Sequence, residues 1–179
     1  MAVNFLEQLV AEWYEYQGYF IRRNVRVGKR PKGGYECELD VVAFHPDTKH
    51  LVHVEPSTDA ASWEERQRGY RKKFEAGRKH IPGMFPESLS GSAVPEQIAL
   101  LVLTSKHQER LLAGGRVVHV SAFLERIITH FASFSMLTAQ VPERFPILRT
   151  LQFVAEYRKQ LFKQQPNHGV QPPPASGRG

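Results

Sequence analysis

The sequence predicts an α/β protein, a mixed sheet flanked by helices, and three observations carry that class. Segments with strand-like alternation or continuous apolar runs are interleaved with segments of helical period. Their order is helix, three strands, helix, strand, helix, strand, helix. The 179 residues, 41% hydrophobic and 23% charged, suffice for a full core without disulfides.

The first helix is "NFLEQLVAEWYEYQG". Leu6, Leu9, Val10 and Trp13 share one face, Asn4 can cap the start and Gly18 can end it. "YFIRRNVRV" reads as a strand, and "GKRPKGG" as a basic turn. "YECELDVVAF" and "HLVHVEPS" read as two strands of a meander, joined by "HPDTKH". A second helix begins with the capping-box pair Ser62 and Glu65 and runs to about His80. Trp63, Gln67, Tyr70, Phe74 and Gly77 fall on its inward side. After a long loop, "IALLVLT" is a buried central strand. "SKHQERLLAGG" reads as a short helix, with a capping box from Ser105 to Gln108 and Gly114 as its stop. "RVVHV" is a further strand, and "SAFLERIITHFASF" a helix capped by Ser121. One domain is expected over residues 1–163, with a helical extension from about 143. Residues 164–179 are rich in Pro, Gly and Gln and are expected to form a disordered tail.

The formal net charge is +6, a balance that suits nucleic acid, acidic proteins or anionic membrane. The single cysteine, Cys37, cannot form an internal bridge and fits a reducing, cytoplasmic setting. The acidic amphipathic start does not read as a signal peptide, and no segment approaches a membrane span. His45, His50 and His53 have no cysteine partner nearby and do not read as a zinc site.

The chemistry lies in the hairpin. Glu36, Glu38 and Asp40 occupy alternate positions, as do His53, Glu55 and Ser57. Strand alternation predicts Cys37, Leu39, Val41 and Ala43 on one face, with Glu36, Glu38, Asp40, Val42 and Phe44 on the other. With His45–His50 as the loop, Phe44 lies opposite Leu51, Val42 opposite His53, Asp40 opposite Glu55, and Glu38 opposite Ser57. Two ionised carboxylates at that spacing repel unless a cation joins them. Hard oxygen donors select Mg²⁺ or Mn²⁺. The plain alternative is the solvated face of an antiparallel hairpin.

With "ELDVVA", the loop, "VHVEPS" and the order of elements in view, the chain resembles the PD-(D/E)XK nuclease superfamily. It is most similar to restriction-endonuclease-like and Holliday-junction-resolvase-like members, over roughly Asn4 to Phe134. The resemblance implies an αβββαβ core and metal-dependent phosphodiester hydrolysis. It implies Asp40 as the metal-binding acid, Glu55 as the glutamate of the E-x-K motif, the Pro56 carbonyl as a further ligand and Glu7 as the first-helix acid. Acids in a first helical turn also serve the macrodipole, so Glu7 has a second explanation.

The sequence departs from the motif at the lysine, where Ser57 stands. A neutral hydroxyl cannot stabilise developing negative charge as an ammonium does. Relatives carry the basic group on the following helix, where Lys73 is the first candidate and Arg71 the second, while Lys72 points away. Gln67, a polar residue on an apolar stripe, is either a site residue or satisfied by a backbone group. Pro56 donates no ladder hydrogen bond, so its strand is expected to end or bend there.

Three readings follow: a nuclease, a nuclease-like DNA-binding or interaction protein without turnover, and an α/β protein whose acids are incidental. The expected partner is nucleic acid, DNA ahead of RNA, without membrane. A homodimer is left open.

Overall fold

The structure, a computed structural model, describes residues 4–85, 94–102 and 111–162. It is α/β, with a six-stranded mixed sheet flanked by helices. Helix α1 spans Phe5–Tyr16 and is followed by β1 (Phe20–Lys29), β2 (Tyr35–Phe44) and β3 (Leu51–Ser57). Helix α2 is Trp63–His80, then come β4 (Glu96–Leu101), the short β5 (Leu111–Leu112) and β6 (Gly115–His119). Helices α3 (Val120–Phe131) and α4 (Pro146–Leu161) complete the described chain. The strand order is β1-β2-β3-β4-β6-β5. The first three strands form the antiparallel meander, β4 runs parallel to β3 and to β6, and β5 closes an antiparallel edge.

Local chemistry accounts for the helix starts. The Asn4 side chain accepts from Leu6 N–H, and both halves of the Ser62–Glu65 capping box are formed. The first turn of α4 is held from outside. Glu12, buried on α1, accepts from the N–H groups of Ile147 and Leu148 at 2.9 and 3.0 Å. A carboxylate there satisfies orphan donors and complements the helix dipole.

The sheet buries both faces. One face packs Val41, Ala43, Val52, Val54, Ile98 and Leu100 against α1, α3 and α4. The other packs Val42, Phe44 and Leu51 against α2, through Ala76 and the adjoining Ile81. Further along this face, Tyr70 and Phe74 cover Ala99, Leu101 and Leu112.

Three local readings need correction. Leu111–Leu112 form a strand, not the end of a helix; residues 105–110 lie outside the described part. Ala113 (φ 51°) and Gly114 (φ 85°) are both left-handed, the conformation a two-residue hairpin turn requires, so Gly114 makes a turn where a helix stop was expected. Ser121 does not cap α3, because that helix starts at Val120 with His119 at its N-cap and no side-chain cap.

The third correction concerns the faces of β2. Val41 and Ala43 join the α1 side, but Cys37 and Leu39 pack with Val42 and Phe44 on the α2 side. The simple alternation fails between Leu39 and Val41, at Asp40. The β1 ladder is interrupted at the same level: Arg23 pairs with Val41 and Val25 with Leu39. Asn24 lies between them with φ 50°, a left-handed conformation that breaks strand geometry. No helix among the described residues is long and apolar enough to cross a membrane.

Candidate functional site

The register of β2 and β3 puts Phe44 opposite Leu51, Val42 opposite His53 and Val41 opposite Val54, where the ladder stops. β3 continues through Pro56 to Ser57 on its β4 side alone, with Glu55 beside Ala99, Pro56 beside Leu100 and Ser57 beside Leu101. Pro56 has no N–H to offer β2. The two strands therefore part where Asp40 and Glu55 emerge. Glu38 does not face Ser57: it pairs with Arg26 on β1 at 2.9 Å, and Ser57 accepts from Asp59 N–H at 3.2 Å.

The opening is used at once. The Asp40 backbone N–H, outside the ladder, donates to Glu55 Oε1 at 3.1 Å. Lys73, reaching down from α2, places its Nζ 2.7 Å from Asp40 Oδ1 and against Glu55 Oε2. Two carboxylate oxygens on one ammonium lie within about 6 Å of each other. The cation between the acids is thus a side chain of the protein. The geometry of α2 explains the choice of lysine. Lys73 flanks the buried Tyr70–Phe74 stripe, while Arg71 and Lys72 are exposed. Tyr70, one turn earlier, donates its hydroxyl to the Glu55 carbonyl at 3.1 Å and fastens the helix to β3.

Burial sets the electrostatics. The Glu55 side chain is 1% exposed and Asp40 16%, while Lys73 keeps 33%. Burial, with Glu55 adding to it, pushes the Asp40 carboxyl up to about 7, although Lys73 works in the opposite direction. Burial also opposes the Lys73 charge, but Glu55 and Asp40 together hold its pKa above the ordinary lysine value.

Glu7 is near this centre without joining the contacts around Lys73. Its carboxylate accepts from Asn4 Nδ2 at 2.7 Å, and burial, then the charge of Asp40, raises its pKa. Gln67 is engaged elsewhere: its side-chain oxygen accepts from Ala113 N–H at 3.0 Å, tying α2 to the β5–β6 turn. Ser57 and Pro56 line a cleft of about 210 Å³ with Glu55, Asp59, Tyr70 and Lys73.

Sequence reasoning passed over His53 as a partner of this site. His53 is fully buried, and its Nε2 lies 2.7 Å from Glu55 Oε1. Its one legible signal was its place two residues before Glu55, on the same strand face.

The donor set suits a hard divalent ion. Asp40 and Glu55 supply carboxylate oxygens, and Pro56 lines the cleft beside Glu55. Among the described residues no group of three or more His, Cys, Asp or Glu side chains is arranged to hold a metal. Mg²⁺ needs only one or two carboxylates and keeps its remaining shell in water. No family model matches the chain, and comparisons with curated proteins and with solved structures give no match.

Proposed function

We propose that this protein is a metal-dependent phosphodiesterase acting on nucleic acid. Its core would be restriction-endonuclease-like, with the catalytic ammonium moved from the position of Ser57 to Lys73 on α2. The observation that carries the reading is the contact of Lys73 Nζ with both Asp40 and Glu55. In this reading Asp40 and Glu55, aided by the Pro56 carbonyl, hold Mg²⁺ or Mn²⁺. That ion would supply Lewis acidity and a bound water of lowered pKa. The carboxylates fix the reacting end of the cleft. Lys73 would present its ammonium to the charge that builds on phosphate oxygen. Tyr70 holds the Glu55 backbone in place.

Incubating the protein with supercoiled plasmid and with labelled single strands, in Mn²⁺, Mg²⁺ or EDTA, tests this reading. Cleavage in either metal and none in EDTA is expected. The inactive nuclease-like reading rests on Ser57 and on an ammonium already bridging the acids. A wild type that is inert and gains cleavage only as Ser57→Lys supports that second reading.

The exposed cations suit phosphate. Arg22 and Arg23 on β1, Lys29, Arg30 and Lys32 around the following turn, and Arg68, Arg71 and Lys72 on α2 are all exposed. Binding to a fluorescent duplex should weaken at least roughly tenfold between about 50 and 200 mM salt, with little dependence on sequence. Equal affinity at the two salt concentrations rules out a phosphate-dominated contact.

A further inference from the structure

Glu55 is the more deeply buried carboxylate of the pair, and its second oxygen is engaged from behind. His53 Nε2 sits 2.7 Å from Glu55 Oε1, while Oε2 is turned to Lys73. Behind His53, its Nδ1 lies 3.3 Å from Gln97 Nε2 on β4. Gln97 Nε2 also donates to the Phe74 carbonyl at 2.8 Å, which identifies that atom as the amide nitrogen. Gln97 Oε1 accepts from Arg78 Nη1 at 2.6 Å. The chain has only one consistent polarity. Gln97 donates to Nδ1, so Nδ1 is bare. Nε2 then carries the hydrogen and donates to Glu55.

The helix is shaped around this chain. A Cβ added at Gly77 would come 2.5 Å from His53 Nδ1, closer than real Cβ atoms pack, and 3.1 Å from Gln97 Nε2, a tight contact. Glycine lets α2 close down on the histidine and glutamine. Lys73 is four residues earlier, on the same side of α2. The close approach at Gly77 therefore also sets how far Lys73 reaches toward Asp40 and Glu55.

We infer that the buried Gln97 and His53, with the exposed Arg78 holding Gln97 Oε1 at the outer end, form a positioning relay that locks Glu55 Oε1 and leaves Oε2 aimed at the site. Gly77 provides the space that brings the relay and Lys73 to the same depth. None of the relay residues touches substrate in this account; they act through Glu55. The inference rests on Asp40 and Glu55 being the reacting centre. A carboxylate ligand held on its far oxygen by an oriented imidazole is a second-layer arrangement whose loss costs metal sites about 10–100-fold in affinity.

Glutamine at position 53 keeps an N–H donor near the place of Nε2, and leucine removes it. The experiment measures three things on wild type, His53→Gln and His53→Leu: the imidazole tautomer (wild type only) and the Lys73 ammonium resonance, both by ¹⁵N NMR, and Mn²⁺ affinity by EPR titration. The expected result is a wild-type ring protonated on Nε2. The Lys73 resonance should persist in wild type and His53→Gln and disappear in folded His53→Leu. Mn²⁺ affinity should fall 10–100-fold in His53→Leu and stay within a few-fold in His53→Gln. Should His53→Leu fail to fold, Gln97→Met takes its place, with the same losses expected in weaker form. A ring protonated on Nδ1 overturns the inference. So does a folded His53→Leu that keeps both the Lys73 signal and wild-type Mn²⁺ affinity. A wild type that binds no Mn²⁺ counts against the proposed function, while the two NMR readouts still decide whether the relay holds Glu55.

Discussion

Replacing Lys73 with alanine is expected to lower the melting temperature at pH 8 by roughly 8 °C and to abolish the proposed metal-dependent cleavage. The thermal part follows from burial. The Lys73 ammonium is the cation that joins Asp40 and Glu55, whose side chains are 16% and 1% exposed. Removing one partner of a buried ion pair leaves charge without compensation, a loss of about 3–5 kcal/mol. A third of the Lys73 side chain reaches solvent, so the low end, about 3 kcal/mol, applies. At roughly 2–4 °C per kcal/mol for a chain of this size, that is the stated shift. Millimolar Mn²⁺ should restore more of the melting temperature in Lys73→Ala than it adds to wild type, because the ion no longer competes with an ammonium. Calorimetry with and without Mn²⁺ checks both halves. A variant as stable as wild type at pH 8 would mean that the ammonium contributes little to the fold.

The second large effect is on stability against pH. Asp40 titrates at about 7 in the fold and near 3.9 in an unfolded chain. The folded state holds this proton more tightly between those values. The stability that it contributes is therefore present at low pH and lost as pH rises through about 7. His53 acts in the other direction. Its pKa is depressed to about 3, so its contribution is present above the unfolded value near 6.5 and lost as pH falls. Comparing Asp40→Asn with wild type isolates the first effect. The variant should lack the decline between about pH 4 and 7. At pH 8 it should match or exceed wild type by on the order of 2 kcal/mol, a gain of several degrees by thermal melting. Parallel melting curves for the two proteins across that window would show that Asp40 is not a strained acid.

The sequence made the hairpin legible because two period-2 runs flank a loop of six residues. With Phe44 opposite Leu51 and Val42 opposite His53, Asp40 and Glu55 had to emerge on neighbouring strands. Lys73 was legible for a similar reason: the apolar stripe of α2 gave the helix an inside, and Lys73 borders it. The switch of faces at Asp40 was not legible. Alternation assumes an even strand, and the left-handed Asn24 on the neighbouring strand breaks it. The partner of His53 was hidden by distance along the chain. Gln97 comes from a strand 44 residues away, and only the parallel pairing of β3 and β4 places it beside the histidine. The stripe left Gln67 open between a site role and a backbone partner, because the β5–β6 turn whose Ala113 N–H satisfies its oxygen lay within a segment read as helical.

Cleavage of supercoiled plasmid in Mn²⁺ by wild type and Asp40→Asn, purified side by side and shown to be equally folded, tests the central claim most directly. Nicked and linear product is expected from wild type and none above background from the variant, since a neutral amide cannot supply the anionic oxygen that a hard cation requires. Equal cleavage by Asp40→Asn would contradict the assignment of the site.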